Sequence, residues 1–319
     1  MDDLSKIIFG NLNLLEKKGH TFTYDIEDRV KASLEFIQTK YKNLGRFNHS
    51  VNFECHLSEA VKADLHQLFR VGFFPVNEAE MELDHSIKHA LIGSYKSAFA
   101  DLRRALELIL VSVYFTSEKF DDKEDEAVKW VESENNTPSF SKMLKELIKT
   151  KHFEELNNKH SWEKKLKEFY WSLSDFSHNK GAAAGYLKLN KTHLFTLGTS
   201  VPSISYETLE RFCDNYIKTV EEIVVLLVLY NPVILVGVPL DEKFGLETPI
   251  SGFFQEGQAE LVHELIPCEY KNYFKELAEQ DDGIASVLAY FHSLPDLTEK
   301  DIEEQIKRQE DFFDKFVPS

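Results

Sequence analysis

The sequence predicts a mainly α protein: an antiparallel helical bundle with helical N-terminal additions and a small α+β C-terminal subdomain. Three observations carry this. Apolar residues recur at spacings of three and four along most of the chain. Helix start and stop residues bracket those periodic stretches. Gly and Pro number only 13 and 9 in 319 residues, which suits helices better than a turn-rich β fold. The hydrophobic share of 43% is enough for a large core, and 25 Phe argue against disorder. The length allows one large domain or two. The pattern divides the chain into an N-terminal helical region (1–83), a helical bundle (84–232) and a C-terminal subdomain (233–319).

Taken in order, residues 4–18 place Leu4, Ile7, Ile8, Leu12 and Leu15 on one face, and Gly19 is the stop. Residues 25–44 repeat Ile26, Val30, Leu34, Ile37 and Tyr41, ending at Gly45. Ser58 opens a third helix with Val61, Leu65, Leu68 and Phe69 inward, and 72–83 read as an irregular connector. Asp84 then caps a long helix to Phe115, with Ile87, Leu91, Ala98, Leu102, Ala105, Ile109 and Val113 in one stripe. Residues 116–137 are acidic and polar, with a short helix around Ala127–Val131. Pro138 precedes an amphipathic helix through Phe140, Met143, Leu144, Leu147 and Ile148. Ser161 caps a helix with Trp162, Leu166, Phe169, Tyr170, Leu173 and Phe176 inward, and Gly181 ends it. A loop or weak hairpin follows over 182–204. Ser205 caps a long helix that stops before Pro232. Beyond it Val233–Val238 reads as a strand that pairs with Pro249–Phe254, and helices follow near 257–266, 269–280, 283–293 and 298–316. Thr298 and Asp301 resemble a capping box.

Charge and cysteine usage narrow the setting. The formal net charge of −17 repels nucleic acid and anionic membranes as a whole. A local exception is the lysine-rich stretch 141–167, with lysines 142, 145, 149, 151, 159, 164, 165 and 167. It reads either as a solvated face or as a phosphate-contacting one. Cys55, Cys213 and Cys268 form no CxxC pair, and the chain opens Met-Asp-Asp-Leu-Ser with no signal-peptide plan, so a cytoplasmic, reducing location is expected. The apolar run Ile223–Leu240 is broken by Asn231-Pro232 and flanked by acids, so it reads as a buried helix end and strand rather than a membrane span. His85 and His89 have the i,i+4 spacing of two zinc ligands but no third partner, and no metal or cofactor is expected. Phosphate-binding glycine loops and the GxSxG elbow are absent from the sequence.

The residues that draw attention lie on two helices. Ser174 and His178 stand one turn apart on a flank shared with Lys167 and Trp171. Arg103, Arg104 and Glu107 lie off the apolar stripe of the helix 84–115. The plain reading makes His178 a helix-end residue meeting the last carbonyls, and the Arg-Glu group a surface ion pair. If the helices are neighbours, the two groups instead converge across the seam as a lock or a site.

Leu173-Ser174-Asp-Phe-Ser-His178 on one helix and Arg103-Arg104-Ala-Leu-Glu107 on another resemble HEPN-type domains, over about residues 84–231. The resemblance implies an all-helical domain of the kind found in bacterial toxin–antitoxin and anti-phage systems, many members being metal-independent ribonucleases. It implies His178, Ser174, Arg103, Arg104 and Glu107 as catalytic candidates. Lys167, Asn179 and Lys180 would be substrate contacts, RNA the substrate, and a homodimer the assembly. The chain departs from the ribonucleolytic pattern of Arg, then four to six residues, then His: Trp171, Ser172 and Leu173 occupy the places before His178. Arg103 or Arg104 would have to supply the charge that stabilises the scissile phosphate. Without that, the same residues only pack helices, and the chain is a regulatory or scaffold protein that binds a protein partner.

Overall fold

A computed structural model describes residues 20–22, 25–61, 69–117, 124–177, 203–247 and 252–316. The expectations for 4–18, for the helix end at Gly181 and for most of the 182–204 hairpin lie outside these residues. The described chain is mainly helical. The first helix, α1 (Ile26–Lys40), is started by Asp25, whose carboxylate accepts from Glu27 N at 2.7 Å. It ends earlier than the periodicity implies. Tyr41 leaves the helix in an extended conformation and turns inward, its hydroxyl donating to Asp214 at 2.7 Å. The chain re-enters helix as α2 (Leu44–Glu54), so Gly45 lies in a first turn and is not a stop. Ser58–Ala60 form a 3-10 turn and Val61 is extended, so the expected third helix does not begin at Ser58; its Leu65 and Leu68 lie outside the described residues.

The segment 72–83 is helix, not connector. A π turn at Phe69–Phe73 runs into α3 (Phe74–Leu91), with Pro75 at the start, where its missing N–H costs nothing. Val76, Ala79, Leu83 and Ser86 line its buried face, and Asp84 sits mid-helix, paired with Lys88 instead of capping. The long helix expected over 84–115 is cut in two. Gly93 takes φ of 79°, a conformation open to glycine, and Ser94 N closes onto His89 O at 2.8 Å. The chain then folds back as α4 (Tyr95–Thr116) against α3. The apolar stripe survives the break because both halves face one core.

Next come α5 (Glu124–Val131) and α6 (Phe140–Leu147), the latter capped by Ser139. α7 (Lys151–His160) is followed almost directly by α8 (Trp162–Ser177). Ser161 does not cap α8. It takes a left-handed φ of 53° that ends α7, and Asn157 Oδ1 accepts from Glu163 N at 3.0 Å in its place. Two short strands, β1 (His20–Phe22) and β2 (Ser203–Ser205), pair antiparallel with His20 opposite Ser205. Ser205 caps α9 (Tyr206–Tyr230), as the sequence implies.

The strand expected at 233–238 is not formed. Pro232–Leu235 make a 3-10 turn, and the only ladder-like contact described there is an isolated parallel bridge between Gly237 and Phe254. Pro232 has no N–H for a ladder, and Ile234 and Leu235 are buried against α9 and the helices that follow. At Gly237 a Cβ would stand 2.5 Å from Glu256 Cα, so only glycine admits this approach. The remaining helices are α10 (Leu240–Phe244), α11 (Glu256–Leu265), α12 (Lys271–Gln280), α13 (Asp282–Ser293) and α14 (Glu299–Phe316). The last is preceded by the expected Thr298–Asp301 box, with Thr298 N on Asp301 at 2.9 Å.

The core centres on α4, which packs on α3, α6, α8 and α9, while α9 also meets α1, α2 and α11. One apolar cluster runs from Ile37 to Leu277, and a smaller one gathers Val238, Leu240 and Phe291. Ile223–Leu229 are buried within the large cluster. Among the described residues no helix is long and apolar enough to cross a membrane.

Candidate functional site

The seam of α4 with α3 and α8 brings some of the sequence-predicted residues together and separates others. Arg103 and Arg104 are neighbours in sequence, so they leave α4 about 100° apart and reach different helices. Arg103 turns to α8. Its Nη2 and Nε donate to the Tyr170 hydroxyl at 2.8 and 3.1 Å, and its guanidinium carbon lies 5.0 Å from the ring centroid. Glu107 stands 3.8 Å from Arg103 on the same helix. Tyr170 is held from behind by Phe140 of α6, stacked at 3.8 Å. Burial lifts the Tyr170 phenol above its ordinary range, and the Arg103 hydrogen bond opposes that rise.

Arg104 turns to α3. It grips Glu82 with two hydrogen bonds of 2.9 and 2.8 Å and also bonds Asp101 one turn back. Asp101 is 1% exposed, and its second oxygen meets His89 Nδ1 at 2.6 Å. Glu82, Arg104, Asp101 and His89 thus form one hydrogen-bonded chain across the α3–α4 hairpin. The hydrogen bonds it donates to Glu82 raise the Arg104 pKa further above its already high value. His89, considered as half of a zinc pair, is spent on Asp101, while His85 is exposed. No group of three or more His, Cys, Asp or Glu that could hold a metal is found among the described residues.

Helical spacing predicts Ser174 on the flank with Lys167, but it is fully buried, and its hydroxyl donates to Tyr170 O at 3.0 Å within its own helix. α8 is covered on more than its Leu166–Leu173 face, since Phe169, Tyr170 and Ser174 are buried as well. Lys167 pairs with Glu163 one turn back. His178, Asn179 and Lys180 lie outside the described residues. The lysine-rich stretch is a paired surface, not an open basic face. Lys142 meets Glu126, Lys149 Glu146, Lys151 Asp281, Lys159 Glu276, Lys164 Glu168 and Lys165 Glu269.

Glu82, His89, Asp101 and Tyr170 were not singled out as partners of the two arginines. Gly93 is the available signal: Glu82 and Arg104 lie at equal distances either side of it.

A different polar chemistry surrounds α9. Glu222 is 5% exposed, and its Oε2 accepts from Trp162 Nε1 at 3.0 Å. Burial drives its pKa up to about 7, with the Trp162 bond pulling the other way. Glu54 of α2 accepts from the Tyr216 hydroxyl at 2.6 Å, and burial likewise lifts it to about 7.

No protein-family model matches this chain, and neither do any curated protein or solved structure.

Proposed function

We propose that this chain is a non-catalytic helical regulatory or scaffold protein that binds a protein partner, within a bacterial defence or toxin system of the kind HEPN-like domains serve. The observation that carries this reading is the internal commitment of the cations. Arg103 is on Tyr170 and Glu107, Arg104 on Glu82 and Asp101, and each lysine of 141–167 except Lys145 faces a carboxylate. A paired cation must give up its partner before it can meet a phosphate, and the charge of −17 works against that exchange. Apolar side chains remain at the surface for a protein to cover. Trp171 on α8 is 50% exposed, and Ile302, Ile306 and Phe312 along α14 are 40–57% exposed. The test is incubation of the purified chain with total RNA at low and physiological salt. The expected result is no cleavage and no salt-sensitive binding. Metal-independent cleavage that His178→Ala abolishes would overturn the reading.

One observation favours a second reading, a HEPN-like, atypical, metal-independent endoribonuclease. Arg103 meets Tyr170, so α4 and α8, the helices carrying the two motif segments, are direct neighbours. In this reading the helices form an antiparallel bundle of HEPN type, and a homodimer along the edges of α4 and α8 places two His178 side chains in one cleft. Arg103→Ala then abolishes cleavage along with His178→Ala, and sedimentation finds a dimer.

A further inference from the structure

α14 stands apart from the core. No described helix packs closely along it, and of residues 299–312 only Gln305 is buried. That residue is a clasp. Its Nε2 donates to Phe244 O at 2.8 Å, and its Oε1 accepts from Leu246 N at 2.9 Å. Gly245 lies between those two partners with φ of 60°, and a Cβ there would stand 2.7 Å from Gln305 Oε1, so the clasp closes because a glycine occupies the turn. Arg308 adds an ion pair with Glu247 at 3.3 Å. The attachment is therefore polar and uses one edge of the helix.

The apolar residues of α14 take no part in it. Ile302 and Ile306 are 40% and 44% exposed. At about 100° per residue, they and Gln309 fall about 40–100° round the helix from Gln305. Their spacing of four and then three is that of a two-helix seam. Beyond the seam, about 120–160° from Gln305, come Glu299, Glu303 and Glu310. All three are exposed, and none has an ion pair among the described residues. A helix draws most of its stability from covering its apolar face, and here that face is left to water beside a row of unpaired carboxylates.

We propose that α14 is the docking helix for a cationic amphipathic helix of a partner protein. The partner lays an apolar stripe along Ile302 and Ile306, and its lysines or arginines along Glu299, Glu303 and Glu310. This deepens the protein-partner reading above and rests on it. Charge decides the occupant. A second copy of this chain, paired antiparallel along the same seam, sets the row of Glu303 and Glu310 against the same row of the other copy, like charge against like. A nucleic acid or an anionic bilayer meets the same repulsion, added to the net charge of −17. A basic helix turns the row into an attraction and covers the isoleucines in one step. The clasp at Gln305 holds the opposite edge of α14 to the body, so the seam stays presented outward.

The experiment uses the full chain and a labelled three-heptad peptide, with leucine at the seam positions and lysine at the flanking ones, followed by fluorescence anisotropy. One control peptide carries glutamate in place of lysine. Another keeps the lysine peptide's composition but scrambles the leucines out of helical phase. The expected result is saturable binding of the first peptide, at least about tenfold tighter than either control. Ile302→Ala with Ile306→Ala weakens it by about tenfold. Glu303→Lys with Glu310→Lys weakens it as much and strengthens binding of the glutamate peptide. Unchanged far-UV circular dichroism is the check on fold. Equal binding of the scrambled peptide overturns the proposal, since bulk acidity would then suffice. A dimer in sedimentation equilibrium that the two isoleucine substitutions dissociate also overturns it, and gives the stripe to a second copy. No saturable peptide binding, with total RNA left uncut and unbound, overturns the α14 surface and leaves the protein-partner reading standing. RNA cleavage overturns that reading and the proposal with it.

Discussion

α4 and α9 are long, adjacent and mostly buried, yet they satisfy their polar residues in opposite ways. Along α4, charge meets charge: Arg103 with Glu107, and Arg104 with Glu82 and Asp101, whose second oxygen meets the His89 ring. Around α9, Glu221 is paired with Arg46, but the more deeply buried acids meet neutral donors: Glu222 has an indole N–H and Glu54 a phenol. A carboxylate beside a guanidinium keeps its charge when desolvated. One that has only a neutral donor holds its proton until near neutral pH. The α4 side thus behaves as a set of fixed struts, while the α9 side titrates within the physiological range.

The largest expected effect follows from this contrast. Glu222 has a folded pKa of about 7 against an ordinary value of 4.5. Between those values the folded state holds a proton that the unfolded state releases. Its contribution is therefore complete below about pH 4.5 and is lost as the pH rises to about 7, a change on the order of 3 kcal/mol. Urea unfolding from pH 4.5 to 8 should show the decline, and Glu222→Gln should make it shallower, with Glu54 supplying a like share of what remains. An unchanged slope in that variant would remove α9 from the comparison. Arg104→Ala comes next. It strips the near-inaccessible Asp101 of its guanidinium partner and should cost about 2–3 kcal/mol in the same measurement at pH 7. A double-mutant cycle with His89→Ala should be strongly non-additive, because both act on one carboxylate. Arg103→Lys should cost about 1 kcal/mol, since an ammonium cannot place two donors on the Tyr170 hydroxyl and lie over its ring. The smallest effect belongs to Lys164→Gln, whose exposed pair with Glu168 at 3.9 Å should be worth less than ~0.5 kcal/mol by thermal unfolding.

Legibility in the sequence followed the same physics. Periodicity located α4, α6, α8, α9 and the helices of the C-terminal part, because one buried face repeats every few residues whatever the topology. It did not find the break at Gly93, because the stripe Ile87–Val113 continues in phase through the turn, and only a glycine at φ 79° marks it. Nor did it resolve Pro232–Leu235, where a short apolar run without alternation serves a buried 3-10 turn as well as a strand. Of the candidate site, the Arg103–Glu107 pair was legible from its i,i+4 spacing, whereas the adjacency of the two motif helices entered only as a condition. The partners Tyr170, Glu82 and Asp101 were not legible, because their pairing depends on how α3 and α8 are rotated against α4, and a single sequence does not encode that rotation in any local signal.

The Gly93 turn also bears on how the chain reaches its native state. Because α3 and α4 are joined by only Ile92-Gly93-Ser94, their shared contacts link residues close in sequence. Such contacts need little loop closure and form early, so this hairpin is the natural nucleus on which α8 and α9 later condense. Gly93→Val should therefore act mostly on the refolding rate and little on unfolding, a pattern that stopped-flow kinetics read directly from the two arms of the chevron.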